Sequence, residues 1–460
     1  MKKLSELIDI NSDIIIKGIT DDSRKVSKDY LFVATKGFNV DHYDYIDSAI
    51  KNGCVFLVVD KEIDIDFPHI VVDKINDYYI ELCKKYYDVD TNKLHFIGIT
   101  GTDGKTTTST IISKIIDNCA YLGTNGLCIL DKYYSTDNTT PCISELYNDL
   151  SIVEKSNCKN IVMEVSSEAL LHNRVNTIKY DIVGFTNITG DHLNIHKTFD
   201  NYVNCKKKLL NLVNENGHVV INGDDDVLHN FECNNMYTFG FNSDNMCVIK
   251  DVKYNDNNTI IDIVDNNKKY TITTLLKGKY NVYNVVMAFI ICKLYGIDTD
   301  IIIDKIKTIN NISGRCEFLD FGQEYDIVLD YAHTINGIRN ILETFKDYNQ
   351  IITITGCAGG REKSKRNTIG NIVMDNSDIS IFTMDDPRYE DVDDIIDQMV
   401  GDRNDYIRIV DRECAINYAL SIAGVGSIVL ILGKGRDNYM AIDDNKVKYS
   451  DYDVVKKFFS

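Results

Sequence analysis

From about Leu94 onward, apolar runs of four to eight residues alternate with stretches of helical periodicity. Leu94–Thr100, Asn160–Val165, Asp181–Asn187 and His218–Asn222 read as strands buried on both faces, with helical segments between most of them. That alternation predicts a parallel sheet covered on both sides. Between Cys247 and Leu275 the pattern shortens to polar–apolar alternation with turns at Asn255–Asn258 and Asp265–Asn267, which reads as antiparallel hairpins. After Gly314 the β–α alternation resumes, with strands expected at Asp326–Tyr331, Gln350–Gly356, Ile379–Thr383 and Ser427–Gly433. Shorter elements precede residue 90, among them Val55–Asp60 and Ile70–Asp73. The expected fold class is α/β in three domains. These are a small mixed unit over 1–90, a parallel-sheet unit with a small antiparallel sheet appended over 91–311, and a second α/β unit over 312–460.

Composition narrows the function. The chain has 460 residues, with 50 Lys and Arg against 69 Asp and Glu, a formal charge of −19. A surface that acidic repels nucleic acid and anionic lipid, so neither is an expected partner. No apolar run approaches the roughly 20 residues that span a bilayer, and Met1–Ile10 lacks a signal-peptide core. A cytoplasmic protein without membrane insertion is expected. The 13 cysteines are an odd number with no Cys-x-x-Cys pair, which argues against structural zinc and against a disulfide framework. Of three prolines, Pro141 and Pro387 fall inside the motifs below.

The strongest signal is Phe96-Ile-Gly-Ile-Thr-Gly-Thr-Asp-Gly-Lys-Thr-Thr-Thr108, a buried strand running into a glycine-containing turn and then a helical stretch. Glycines let successive backbone N–H groups converge on phosphate oxygens, and the helix N-terminus adds its dipole. Lys105 is then placed for the β- and γ-phosphates and the Thr106 hydroxyl for Mg²⁺. The strict spacing of the common phosphate loop is not met, because Ile99 stands five residues before Gly104. The loop is a variant.

Glu164 ends the apolar run Asn160-Ile-Val-Met-Glu164, where a charge is costly unless a cation or partner meets it. It reads as a metal ligand, with a strand-end salt bridge as the alternative. His192, in Asp191-His192-Leu193, is either a further ligand or a solvated loop residue. Phe199, Tyr202, Val203, Lys206, Leu209 and Leu210 fall on one helical face with Lys206 in its middle. A lysine pressed into an apolar face loses proton affinity, and the neutral amine can capture CO₂ as a carbamate, an anionic metal ligand. The alternative is a snorkelling lysine.

The third unit opens with Gly314-Arg315-Cys316-Glu317, and its first strand ends in Asp330-Tyr-Ala-His-Thr334. Arg315 suits a γ-phosphate and Asp330 a ribose hydroxyl, and each suits a structural role equally. The next strand leads into Gly359-Gly-Arg-Glu-Lys-Ser-Lys-Arg366, a basic cluster in an acidic protein, which implies an anionic partner. Thr383-Met-Asp-Asp-Pro-Arg-Tyr-Glu390 and Gly433-Lys-Gly-Arg-Asp437 also follow strands. In an open parallel sheet all these loops meet at one edge, so a composite site is expected there.

In order along the chain, Asp22-Ser23-Arg24, Gly101–Thr106, Asn138-Thr-Thr-Pro141, Met163–Ser167, Asp191–Leu193, Lys206, Gly314-Arg315, Asp330–Thr334, Asp385–Arg388 and Gly433–Gly435 resemble the Mur ligase family, most nearly its UDP-N-acetylmuramoyl-tripeptide synthetases. The resemblance implies an N-terminal UDP-binding domain, a central ATPase domain of the P-loop type and a Rossmann-like C-terminal domain that carries the incoming amino acid. It implies an ATP-dependent ligase of peptidoglycan precursor synthesis, acting as a monomer on a UDP-muramoyl dipeptide through an acyl phosphate. Ser23, Asn138, Thr139, Thr140, Ser166, His172 and Arg174 are then the UDP-muramoyl dipeptide side. Gly101, Thr102, Asp103, Gly104, Lys105, Thr106 and Thr107, with Asn281, Asn284, Arg315, Asp330 and His333, are the ATP side. Thr106, Glu164, His192 and carbamylated Lys206 organise Mg²⁺. Lys105, Glu164, His192, Lys206 and Arg315 are the catalytic set, and Arg361, Asp385, Asp386, Arg388, Gly433 and Asp437 grip the added amino acid.

Four positions depart from the family pattern: Asp103 and Asp386 where Asn is usual, Ile335 where Pro often stands, and Asp437 where Glu is common. Arg388 resembles enzymes that add meso-diaminopimelate, because a guanidinium clamps a distal carboxylate. Asp386 pulls the other way, since an added negative charge suits a cationic side chain such as that of L-lysine. Two alternatives share the fold: a folylpolyglutamate-synthetase-like ligase, which lacks the first domain, and a catalytically silent nucleotide-binding regulator.

Overall fold

The computed structural model describes residues 1–35, 42–130 and 132–460. The chain forms three main sheets. In the first, β1 (Gly18–Thr20), β2 (Tyr30–Val33), β3 (Cys54–Val59) and β4 (His69–Val71) pair in parallel in sequential order. Helix α1 (Ile75–Tyr87) then leads out of this unit and ends at Asp88, whose φ of 58° is left-handed.

The second sheet has 11 strands in one continuous ladder. In chain order they are β5 (His95–Thr100), β6 (Cys119–Gly123), β7 (Gly126–Ile129), β8 (Lys132–Tyr134), β9 (Asn160–Glu164), β10 (Tyr180–Phe185), β11 (Val213–Asn222), β12 (Met236–Gly240), β13 (Cys247–Tyr254), β14 (Thr259–Asp265) and β15 (Lys268–Thr274). The spatial order is 8-7-6-9-5-10-11-12-13-14-15. Its middle is parallel, and antiparallel hairpins extend both edges. The hairpins expected between Cys247 and Leu275 therefore form, and they continue the parallel sheet through the short β12–β13 pairing.

The continuous apolar runs of this sheet feed two cores at once, because successive side chains of a strand point to opposite faces. Phe96, Ile161, Met163, Val183 and Phe185 enter one cluster. Ile97, Ile99, Val162, Ile182 and Val220 enter the other, packed under α2 (Lys105–Ile115) and α5 (Lys279–Leu294). Each such side chain contributes roughly 1.5–3 kcal/mol on burial. Between these helices in sequence lie α3 (Ile143–Lys155) and α4 (Phe199–Lys207).

The third sheet is built of β16 (Glu317–Leu319), β17 (Asp326–Asp330), β18 (Gln350–Thr355), β19 (Ile379–Phe382), β20 (Ile407–Arg408) and β21 (Ser427–Leu432). Its order is 16-17-21-18-19-20, parallel except for the edge strand β16. The same two-sided logic holds: Val328, Leu430 and Leu432 face one cluster, Leu329, Val429 and Ile431 the other.

Asp149 breaks the pattern on α3, which packs on α1. It is 5% exposed and its Oδ2 has no hydrogen-bond partner among the described residues. Burial, reinforced by Glu145, pushes its carboxyl up to about 7. The native state therefore keeps a proton that the unfolded chain releases, and stability falls as pH rises from about 4 to about 7. Asp149→Asn is expected to stabilise the protein at pH 8 by about 1–3 kcal/mol and much less at pH 4. Thermal melting at the two pH values checks this; equal shifts would contradict the buried-charge account.

Candidate active site

Residues that follow the carboxyl ends of β5, β9, β10 and β11 on one sheet, and of β17, β18, β19 and β21 on another, line a single cavity of about 780 Å³. This is where open α/β sheets hold ligands, because loops can project there without breaking the ladder.

The β5–α2 loop leads into a helix N-terminus whose N–H groups face the cavity side of Gly104–Thr107. Gly104 caps α2 with φ 85° and no side-chain cap bond, leaving the first-turn amides free for an anion. A Cβ at Gly104 would lie 2.4 Å from Asn284 Oδ1, so glycine is required for this approach as well as for the turn. The loop is tied down by Asn187, whose Oδ1 accepts from Asp103 N at 3.0 Å. Lys105 Nζ folds back on the carbonyls of Gly101 (3.0 Å) and Thr102 (2.8 Å).

Glu164 is 0% exposed. Its Oε1 accepts from Tyr121 OH (2.5 Å) and Thr124 N (3.1 Å), and its Oε2 accepts from Thr106 Oγ1 (3.1 Å). Four donors thus meet the carboxylate, counting the weaker Thr124 hydroxyl contact at 3.3 Å, which is how a buried charge is held without a salt bridge. From the third sheet, Arg315 Nη2 donates to the same Thr106 Oγ1 at 3.0 Å. Tyr331 orients that guanidinium, with its ring centroid 4.6 Å away.

Lys206 lies 1% exposed on α4 while Lys207 and Lys208 are exposed. Its Nζ donates to Gly101 O at 2.7 Å, the carbonyl that Lys105 also uses. Burial first, and the Lys105 charge second, drive Lys206 well below the ordinary lysine range. Desolvation thus favours the neutral amine at this position. His192 sits at φ 56°, and burial lowers its imidazole to about 3, leaving a neutral ring. Its Nε2 lies 3.4 Å from Asp191 Oδ2. Among the described residues no three of His, Cys, Asp and Glu gather into a metal-binding group. The site offers instead the hydroxyl oxygen of Thr106 and the carboxylate oxygens of Glu164, hard donors of the kind Mg²⁺ prefers.

Most of the residues singled out from the sequence line this cavity, including Asn138, Thr139, Ser166, Arg174, Asn284, His333 and Arg361. Four do not. Thr140 stands behind the wall, its Oγ1 donating to Glu164 O (2.7 Å) and accepting from Ser166 N (3.0 Å). Asn281 backs Asn284, accepting from its Nδ2 at 3.0 Å. His172 and Ser23 are also off the wall, Ser23 lying buried in the first unit. Asp330 lines the cavity, but its oxygens already accept from Cys316 N (2.6 Å) and Ala332 N (2.7 Å), a structural use. Asp103 accepts from Thr334 Oγ1 at 3.2 Å, linking the phosphate loop to the third unit. The loop at the end of β19 is strained: Asp386 (φ 42°) and Arg388 (φ 51°) are both left-handed around Pro387. Gly433 admits Asp385, whose Oδ2 would sit 2.3 Å from an added Cβ.

Sequence reasoning passed over Tyr121, Thr124, Tyr331, Lys365 and Lys434. Tyr331, Lys365 and Lys434 stood inside motifs already noticed. Tyr121 and Thr124 carry no signal, since only the fold brings them to Glu164.

Three family models match: the Mur ligase family catalytic domain over 15–89, the Mur ligase middle domain over 99–292 and the Mur ligase glutamate ligase domain over 314–435. A Bacillus cereus protein named UDP-N-acetylmuramoyl-L-alanyl-D-glutamate–2,6-diaminopimelate ligase is 34% identical over 459 residues, spanning 96% of this chain and 94% of its own. The chain belongs to the Mur ligase family. Mur ligases are ATP-dependent ligases, and this chain is one. A Fusobacterium nucleatum relative of the same name is 34% identical over 98% of this chain and 95% of its own. A solved structure titled as such a diaminopimelate ligase superposes with a TM-score of 0.65 at 26% identity, covering 100% of this chain and 98% of that one. The match over 15–89 falls in the stretch that the folylpolyglutamate alternative lacks. Among the described residues no helix is long and apolar enough to cross a membrane.

Proposed function

We propose that this Mur ligase couples meso-diaminopimelate to UDP-N-acetylmuramoyl-L-Ala-D-Glu at the expense of ATP, with residues 1–90, 91–311 and 312–460 as its nucleotide-sugar, ATP and amino-acid units. The observation that carries the reading is the single cavity bearing the Lys105 loop on one wall and Arg388 with Asp385 on another. Arg315 reaches across it to Thr106.

A carboxylate of the dipeptide attacks the γ-phosphorus of ATP, forming an acyl phosphate and releasing ADP. The amine of the amino acid then attacks the acyl carbon, and inorganic phosphate leaves from the tetrahedral adduct. Both steps build negative charge on oxygen, which Lys105, Arg315 and the α2 amides are placed to stabilise. Mg²⁺ would be held by Thr106, Glu164, His192 and the carbamate of Lys206, and when bound it neutralises phosphate charge. Asn284 and His333 line the nucleotide end, while Asn138, Thr139, Ser166 and Arg174 line the dipeptide end. Arg388 and Arg361 receive the distal carboxylate of the amino acid. The curated relatives named above carry diaminopimelate in their names, which supports that choice over L-lysine.

Incubation with ATP, MgCl₂, the UDP-muramoyl dipeptide and each candidate amino acid in turn tests this. Phosphate release is expected only with both co-substrates and fastest with meso-diaminopimelate. Release indifferent to every amino acid would remove the ligase reading.

A further inference from the structure

Asp386 introduces a negative charge into a pocket whose proposed ligand brings a distal carboxylate, and the structure meets that charge from within. Lys434, 1% exposed between Gly433 and Gly435, places Nζ 2.8 Å from Asp386 Oδ1 and 3.4 Å from Asp437 Oδ2. Asp386 Oδ1 also accepts from Ala441 N at 2.9 Å, so this oxygen is engaged by the chain itself. Asp385 is 7% exposed in the same group, where the Arg412 charge and, after it, the Lys434 charge favour its ionised form against burial. Lys434 thus meets two carboxylates directly, Asp386 and Asp437. Arg412, the other buried cation acting on Asp385, is bound bidentately to Asp451 at 2.8 and 2.7 Å. Two lysines that line the cavity are paired elsewhere, Lys365 with Asp191 and Lys446 with Asp137.

We propose that Lys434 is a specificity-determining residue, the internal counter-charge that cancels Asp386 and lets Arg388 select an amino acid with an anionic distal end. The inference rests on the function proposed above and deepens it. Without Lys434 the acidic group carries one more unit of uncompensated charge. A distal carboxylate is then repelled and a distal ammonium, as in L-lysine, is attracted. Lys434 need touch no reacting atom to do this; it sets the potential that the bound side chain meets.

The test is the ratio of kcat/KM for meso-diaminopimelate to that for L-lysine, measured with ATP and the UDP-muramoyl dipeptide saturating. Lys434→Met keeps the length of the side chain and removes the charge. It is expected to lower the ratio by at least about tenfold, the size of one unit charge acting through a partly screened interior. Asp386→Asn, which removes the opposite charge, is expected to raise the ratio. The Lys434→Met/Asp386→Asn double variant is expected to return it to within about threefold of wild type, because the two charge changes cancel. A purely structural lysine predicts equal losses for both amino acids. Ratios that stay within twofold in every soluble variant would overturn the inference while leaving the ligase reading intact. Should Lys434→Met fail to fold, the Asp386→Asn arm decides by the sign of its shift. A wild-type chain that consumes neither amino acid would overturn both readings together.

Discussion

Lys206→Ala is expected to lower turnover by about 10²–10³-fold or more, the usual scale for loss of a charge-stabilising group in a closed site. The reason lies in its surroundings: the buried Lys206 amine shares the Gly101 carbonyl with Lys105 and forms no ion pair among the described residues. As an ammonium it opposes Lys105; as a carbamate it supplies an anion where Glu164 stands alone as the buried carboxylate beside Thr106. High bicarbonate is expected to restore part of the activity of the alanine variant by returning a small anionic oxygen donor. Carbon-13 NMR of wild-type protein in labelled bicarbonate supplies an independent reading, with a carbamate resonance that Lys206→Ala lacks. Full activity in the variant would refute the carbamate.

Arg388→Ala is expected to raise the KM for meso-diaminopimelate by about 30-fold or more while moving the KM for ATP by less than about threefold, since a charge-assisted contact to a buried carboxylate is worth about 2 kcal/mol or more. Its left-handed backbone and the 2.5 Å bond from Nη1 to Gly359 O already aim the guanidinium without substrate, so the loss falls on binding. Arg388→Lys should recover little, because an ammonium cannot reproduce the fork. Equal effects on the two KM values would contradict the assignment to the amino-acid end.

Several features were open to reading before any fold was known. Strands such as His95–Thr100 and Ser427–Leu432 announce themselves because a strand covered on both faces must be apolar at every position. Lys206 was legible in part: periodicity put it in the middle of an otherwise apolar face, and packing decided between burial and snorkelling, leaving it 1% exposed. The run from Phe96 to Thr108 reads as a phosphate loop because glycine and lysine after a buried strand serve a backbone need that few other arrangements share. Asn281 shows where such reasoning thins. An Asn-x-x-Asn spacing puts both side chains on one side of a helix, but only packing decides that Asn284 faces the cavity and Asn281 supports it. Asp330 likewise stood at a strand end, yet its oxygens are taken up by backbone amides of its own unit.

What the chain alone determined was local or periodic: which segments are strands, which glycine-bearing turn leads from a buried strand into a helix and which lysine stands on an apolar helical face. These follow from the covalent order of side chains, since the periods of strand and helix are set by the backbone. What tertiary structure decided was every relation between positions far apart in the chain, within a unit or across units. Arg315 on Thr106, Thr334 on Asp103, Tyr121 on Glu164 and Lys434 on Asp386 join residues 43 to 231 positions apart. No period links such positions, so their charges and hydrogen bonds acquire partners only when the sheets have packed and the cavity between them has closed.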